Sequence, residues 1–302
     1  EVLREPGGGA PRGWAARADG GAVAVIEGDG RIAVWMREAG RGDVLRATLD
    51  GAPGAAAVGF AGDAVVAVGA GGEVWRWSPA ALGLTRGVNH EGAVRALALA
   101  PEGEFGASAG ADGEVKVWRV DRAGGVSVTR SAAIGAGIRD LAVASEGRWA
   151  AAAAGEVAWI WDPSATRGEG AALRSLEIGA ATTRVGFVGD RVVVGDERGA
   201  VWIGEGEEGP WAAVRLGIRH ERGISALAVG GGAVASGDEG GGVRRWSVEG
   251  GPAMVHEGHA GRVSALWLDR RGEWLLSASD DGEVWLHGGR GGGSLRVAEA
   301  SG

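Results

Sequence analysis

The sequence predicts an all-β fold: a seven-bladed β-propeller of four-stranded antiparallel blades. Three observations point there. The first is a period. Strand-like stretches close on Trp35, Trp77, Trp118, Trp161, Gly204, Trp246 and His287, at successive steps of 42, 41, 43, 43, 42 and 41 residues. So regular a step marks one supersecondary unit copied along the chain. The second is glycine: its 61 copies sit between short apolar runs and not at every third position, so they punctuate strands and exclude a collagen helix. The third is the lack of any helical pattern within the period.

Residues 82 to 118 show one unit. Leu84-Thr85-Arg86 reads as a short extended piece, and Asn89-His90-Glu91-Gly92 as a turn. Ala93 to Leu99 alternates in size and polarity, as a strand does. Pro101-Glu102-Gly103 is a turn signal, since proline fixes φ and glycine accepts positive φ. Phe105 to Ala109 follows as a second strand, Asp112-Gly113 as a hairpin turn, and Val115 to Trp118 as a third strand. Val126-Ser127-Val128 supplies a fourth. Radial packing buries both faces of such sheets and leaves only short edges, whereas an open stack needs capping units that the sequence lacks. Residues 1–302 are therefore expected to form a single propeller domain.

Bulk properties narrow the function classes. A net charge of −8 argues against a general nucleic-acid or anionic-membrane binder, because phosphate contacts need clustered cations. Lys116 is the only lysine. Hydrophobic content is 45%, ample for a core, yet no apolar run approaches the roughly 20 residues of a membrane helix. With no cysteine, disulfides and thiolate metal sites are impossible. The chain opens on Glu1 and not methionine, which reads as a fragment or processed product. Abundant Ala, Gly and Arg with no Tyr suggest a GC-rich bacterial genome, and a cytoplasmic location is expected.

Residues 258 to 287 carry Gly258-His259, an inner strand Val263 to Leu268, Leu275-Leu276-Ser277-Ala278-Ser279, Asp281-Gly282 and Glu283-Val284-Trp285-Leu286. Residues 89 to 118 repeat these offsets. The pattern resembles the WD40 repeat family, and the likeness covers nearly the whole chain. It implies a hydrogen-bonded tetrad of His, Ser, Asp and strand-closing Trp inside a blade, here His90, Ser108, Asp112 and Trp118. Such a set would satisfy polar groups that burial takes from water. The seventh unit keeps His259, Ser277 and Asp281 but has His287 at the Trp position. The sixth keeps His220, Ser236 and Trp246, while Asp238 and Glu239 fall out of register. Only Trp161-Asp162 is a literal Trp-Asp pair, and units one, two, four and five lack the turn histidine.

Ring closure has two candidate strands. Glu1-Val2-Leu3-Arg4 resembles Asp43-Val44-Leu45-Arg46, 42 residues later, so Val2 to Arg4 could pair in blade seven. Ser294 to Val297 occupies the same phase at the other end. Either the N-terminal piece closes the blade and the C-terminal segment is looser, or the reverse.

Other constellations have bland readings. His256 and His259 invite a metal site, but strand geometry points alternate residues apart and the tetrad already employs His259, so no metal is expected. Ser108, His90 and Asp112 look like a catalytic trio yet read better as a buried network beside Trp118. Gly240-Gly241-Gly242 precedes no helix, so no dipole backs an anion site there. Trp75, Trp159, Trp202 and Trp285 stand two residues before the closing position. They could stack on sugars, as in lectin-like propellers, but packing between blades suits such large apolar rings better.

The resemblance also implies a recognition rim, built from the loop before the inner strand and the turn before the closing strand. It places Arg95, Arg139, Thr183, Ser225 and Ser264 on inner strands, and Glu197, Glu239 and Asp280 on turns. Arginine then falls on blades three and four and acid on blades five to seven, a split that would orient a peptide bearing both charges. The expected function is a non-catalytic protein-interaction or sensing module, without cofactor, cut from a larger multidomain regulatory protein of the kind that carries an NTPase, kinase or protease domain. Its partner would be a protein, a peptide or another domain of the same polypeptide, held by a monomeric propeller, with neither nucleic acid nor membrane involved. A Trp-based carbohydrate-binding propeller lectin and a propeller hydrolase are the alternatives.

Overall fold

The computed structural model describes the chain except residues 1–12, 18–20, 39–41, 50–54, 62, 70–72, 78–83, 101–104, 121–125, 136, 145–148, 163–172, 206–211, 218, 257, 270, 289–292 and 300–302. The fold is an all-β, seven-bladed propeller, each blade a four-stranded antiparallel sheet whose strands lie in sequence order. Two compact units divide the chain, Glu1–Arg148 and Trp149–Gly302.

In the first unit, blade one comprises Gly13–Ala16, Ala22–Ile26, Ile32–Glu38 and Gly42–Leu49. Blade two comprises Ala55–Ala61, Ala64–Gly69, Glu73–Trp77 and Leu84–Asn89, and blade three Val94–Leu99, Phe105–Gly110, Glu114–Val120 and Val126–Ala133. Blade four runs Ile138–Val143, in the first unit, and Ala150–Ala154, Val157–Trp161 and Arg174–Glu177, in the second. In the second unit, blade five holds Thr182–Val188, Arg191–Asp196, Val201–Glu205 and Ala212–Leu216. Blade six holds Ile224–Gly230, Ala233–Asp238, Val243–Ser247 and Met254–His256. Blade seven holds Val263–Leu268, Trp274–Ser279, Glu283–Gly288 and Ser294–Glu299. The C-terminal segment is thus the outer strand of blade seven, while Val2 to Arg4 and the Pro101-Glu102-Gly103 turn lie outside the described residues.

Both faces of a blade are buried, and the strand period of two sorts residues between them. Within Ala64–Gly69, Val65 and Ala67 join Trp75 against Ile26, Ile32 and Val34 of blade one. Val66 and Val68 turn the other way, with Val74, against Val94 and Trp118 of blade three. Blade five presents Val193, Val201 and Ile203 to Ile224, Val234 and Trp246 of blade six. Ala233, Ala235 and Val243 of blade six then meet Val263, Leu268 and Leu275 of blade seven. Burying one such aliphatic side chain contributes roughly 1.5–3 kcal/mol, so each interface is stabilised by several residues at once. Burial also overrides local preference: Ala150–Ala154 is five consecutive alanines, the best helix former, yet all are buried in a strand.

Trp77, Trp118 and Trp246 press back on the preceding blade of their own unit. Trp118 pairs across the ladder with Gly106, and a Cβ on Gly106 would sit 2.2 Å from the indole. Gly106 is therefore a space requirement. Gly106→Ala is expected to lower stability by about 1–3 kcal/mol through overpacking. Gly186→Ala, whose Cβ would meet its nearest atom at an ordinary 3.4 Å, should change little. Thermal melts of the two variants check the difference.

Candidate functional site

At one end of blades three, five, six and seven, the loop entering the inner strand meets the turn between the second and third strands. Polar side chains converge there in blades three, six and seven. In blade three, His90 Nε2 lies 2.9 Å from Ser108 Oγ, and His90 Nδ1 lies 3.3 Å from Asp112 Oδ2. Asp112 accepts the backbone N–H groups of Glu91 and Glu114 at 2.9 and 3.0 Å. A Cβ on Gly110 would fall 2.4 Å from Asp112 Oδ1 and 2.6 Å from His90 Nδ1, so only glycine leaves room for the carboxylate to fold back. Trp118 is buried beside this group as expected, but its indole N–H has no hydrogen-bond partner among the described residues. The sequence expectation of a four-membered bonded set therefore shortens in blade three to His90 and Ser108, with the Asp112 carboxylate beside the ring at ion-pair distance.

Blade six corrects the sequence reading of its acid. Asp238 Oδ2 lies 2.8 Å from His220 Nδ1, and Ser236 Oγ lies 2.6 Å from His220 Nε2. The acid comes from two resides after the serine, on the same face of one strand, and not from four residues after it as in blades three and seven. Asp238 Oδ1 also accepts the N–H groups of Gly240 and Gly242 at 2.8 and 2.9 Å. These donors of the glycine cluster are already engaged by the protein's own carboxylate. Trp246 stands edge-on to His220, with ring centroids 5.8 Å apart.

Blade seven replaces the tryptophan with a working substitute. His259 bonds Ser277 through Nε2 at 2.7 Å and Asp281 through Nδ1 at 3.3 Å. Ser277 Oγ also meets His287 Nε2 at 2.7 Å, and His287 Nδ1 meets Ser294 Oγ on the outer strand at 2.7 Å. His256 of blade six packs on the His287 ring at 4.5 Å. Across the ladder from His287 stands Leu275, where blade three sets Gly106 opposite Trp118. A smaller closing ring goes with a larger partner. His259, Asp281 and Glu283 bring donor atoms within 4.8 Å of one another. Those donors are occupied: Asp281 accepts from Ala260 and Glu283 N–H, and Glu283 accepts from the Trp285 indole and Arg296.

Charge follows this geometry. Burial pushes the Asp112 and Asp281 carboxyls up, but the backbone donors around them prevail and hold both below the usual carboxylate range. Asp238 is held low against burial by the His220 ring and the two glycine N–H groups. Burial pulls His90 and His256 below the ordinary histidine value. His287 falls to about 4, through burial first and then His256 and His259.

The rim residues sit on these turns and at the starts of the inner strands beside them. Arg95 and Arg139 are exposed second residues of their inner strands, in the first unit. In the second unit, Glu197, Glu239 and Asp280 are exposed on the turns. Their backbones are fixed: the N–H groups of Glu197, Glu239 and Asp280 donate to Ala181, Gly223 and Arg262 carbonyls at 2.9, 3.0 and 2.9 Å. Blade three has the same bond, from Ala111 to Ala93 at 2.8 Å. Thr183 is half-buried and donates to Gly195 O, and exposed Ser264 donates to Ala278 O. Ser225 is placed differently. It is 3% exposed, and its hydroxyl donates to Val263 O of the next blade at 2.7 Å, so it links blades and does not face solvent. The acidic turns also have basic neighbours, because Arg198 and Arg222 are exposed beside them and Arg262 lies 3.9 Å from Asp280. Sampling two positions per blade missed these arginines.

None of the four tryptophans before the closing position is exposed. Trp75 is buried, and Trp159, Trp202 and Trp285 are half-buried. Trp202 donates its indole N–H to Asp196 at 2.8 Å, giving blade five, which has no turn histidine, its own polar anchor.

Propeller topology with His-Ser-Asp networks at the turn end defines a repeat protein of the WD40 type. Residues 84–119 and 250–287 match the family model for the WD domain, G-beta repeat. Each match takes the outer strand of one blade with three strands of the next. The chain is thus a seven-bladed propeller that carries WD40 repeats. No curated protein sequence matches it. Among solved structures, it is similar to the computationally designed Ika8 protein, with 22% identity over 95% of this chain and 86% of that one, at a TM-score of 0.74. Saccharomyces cerevisiae Sqt1 is similar at 13% identity, over 95% of this chain and 84% of that one, with a TM-score of 0.76. Both likenesses concern the fold.

Two measurements test the networks. Asp238→Ala should cost about 1–3 kcal/mol by leaving buried donors unpaired, whereas Glu239→Ala should be nearly neutral; melts that rank them the other way would restore the sequence register. His287 gives a pH signature. Unfolded, it titrates near 6.5; folded, it stays neutral to about 4. The unfolded state therefore binds the extra proton within that window, and stability falls as pH drops from 6.5 towards 4, by on the order of 3 kcal/mol. His287→Gln should flatten the melting temperature across this range relative to wild type; parallel curves would count against it.

Proposed function

We propose that this chain is a non-catalytic interaction or sensing module of a larger multidomain regulatory protein. Its partner is a protein, a peptide or another domain of the same polypeptide, taken at the turn end of the blades. What supports this reading most is the placing of exposed charges, Glu197, Glu239 and Asp280 in one unit and Arg95 and Arg139 in the other, on loops and strands held by backbone bonds and buried networks. Such charges lose little freedom when a partner docks, and they govern encounter rate and register. The His-Ser-Asp groups suit a structural role, because Ser108, Ser236 and Ser277 are all but fully buried and each is bonded to a histidine. A WD40 propeller matches an interaction scaffold in general terms, though function resides in sites and not in folds.

A pull-down from cells producing the natural protein compares wild type with Arg95→Glu/Arg139→Glu and with Glu197→Lys/Glu239→Lys. Each double variant should melt like wild type and lose partners that wild type recovers. Recovery of the same partners in the same amounts by all three proteins would refute the proposal.

A further inference from the structure

We propose a second recognition site, at the opposite end of blades six and seven from the charged turns, which takes an extended partner peptide bearing one carboxylate beside an apolar or aromatic side chain. It does not rest on the turn-end reading above. The site is a cleft of about 510 Å³ between the two blades, within the range of roughly 300–1,000 Å³ that ligand sites occupy. Its walls combine Trp246, Trp274, Met254 and Pro252 with Arg245, Arg271 and Glu273.

Four observations favour that occupant. Trp274 is 50% exposed on a strand of a protein that otherwise packs most of its tryptophans, so a broad apolar face stands open at the cleft. Arg245 and Arg271 line the same cleft, and no carboxylate pairs with either among the described residues. A guanidinium fork grips a carboxylate with two parallel hydrogen bonds, and Arg and Trp are the side chains that dominate interface energetics. Glu273 is the one acid in the lining among the described residues, which leaves room for a single ligand carboxylate and disfavours a polyanion. Finally, the frame is rigid. Gly230 and Gly231 lie backbone against backbone with Asp269 and Arg271, since a Cβ on Gly231 would fall 2.1 Å from Arg271 C and one on Gly230 2.5 Å from Asp269 O. An inorganic anion would leave the Trp274 and Met254 faces unused. A peptide covers both features.

The probe is a display library of short random peptides, selected on the full chain, with the enriched sequences synthesised and titrated by fluorescence anisotropy. Enrichment of Asp or Glu next to an aromatic or aliphatic residue is expected. Arg245→Glu/Arg271→Glu and Trp274→Ala should each weaken binding at least about tenfold while melting like wild type. Glu273→Gln, which removes the opposing charge, should tighten it a few-fold, a gain that a purely structural role would not produce. Arg198→Glu makes one such charge reversal at the turn end and should leave binding unchanged. No enrichment, or enriched peptides that bind wild type and the three cleft variants alike, would overturn the proposal. So would peptides that respond to Arg198→Glu alone, or a concentration-dependent dimer abolished by Trp274→Ala, which would make a second copy the occupant.

Discussion

A sheet buried on both faces can satisfy its polar groups only at its ends, and that constraint orders the rest of this protein. Within a blade the ladder pairs the backbone; beyond the last rung, the N–H and C=O groups of the loops need other partners, or they cost about 1–3 kcal/mol each when buried. Here the turn between the second and third strands donates an N–H to the residue that precedes the inner strand, in blades three, five, six and seven alike. Neighbouring blades of a unit are tied by the same means. The carbonyl of Gly199, held at a φ of 82°, accepts the His220 N–H at 2.8 Å. A Cβ there would fall 2.4 Å from Arg222 O, so the turn tolerates no side chain. These bonds involve no particular side chain, which is why the fold survives where the histidine networks are missing.

Side chains then add a second layer that varies from blade to blade while solving one problem. A carboxylate must reach the imidazole that bonds the buried serine. Blades three and seven bring it from the turn, four residues after that serine, and blade three needs the bare Gly110 to make room. Blade six brings it from the strand itself, two residues after, and so leaves its turn free to be built from glycine. The closing residue trades volume with its ladder partner. Trp118 faces Gly106, Trp246 faces Val234 and His287 faces Leu275.

The architecture was legible in the sequence because it depends on repetition and alternation, which survive divergence at single positions. Apart from Ala93, one residue ahead of the strand Val94–Leu99, the strand predictions over residues 84 to 128 fall within observed strands, some of which extend a few residues further, such as Phe105–Gly110 and Val126–Ala133. Networks were legible where spacing was conserved between units: His90, Ser108 and Asp112 match His259, Ser277 and Asp281 residue for residue. Asp238 was misjudged because counting from one template ignores the strand period of two, which puts a residue two positions along on the same face. The burial of Ser225 was hidden for a related reason: its neighbours in the same repeat position, Thr183 and Ser264, are half-buried and exposed, and only the contact with Val263 of the next blade distinguishes it. The histidine chain from His259 through Ser277 and His287 to Ser294 crosses three strands, so no linear motif announces it.

The two ends of the blades differ in what they can offer a partner. At the turn end, carboxylates are consumed in holding the chain together: Asp112, Asp238 and Asp281 each accept at least two hydrogen bonds. Glu239, next to Asp238, and Glu197, next to Asp196, face outwards on backbone held by hydrogen bonds to the facing loop. Recognition there is a matter of fixed charges on a rigid frame. At the other end the hairpins carry glycine where neighbouring blades touch, and Gly232 has no atom within 4 Å of the place its Cβ would take. Small residues at the contact let the hairpins meet closely, and the space left over is lined by the large side chains of the adjoining strands, Trp274 and Met254. Charge can be displayed at the first end without opening the structure, and apolar surface at the second without burying it, because the ladder between them already satisfies the backbone.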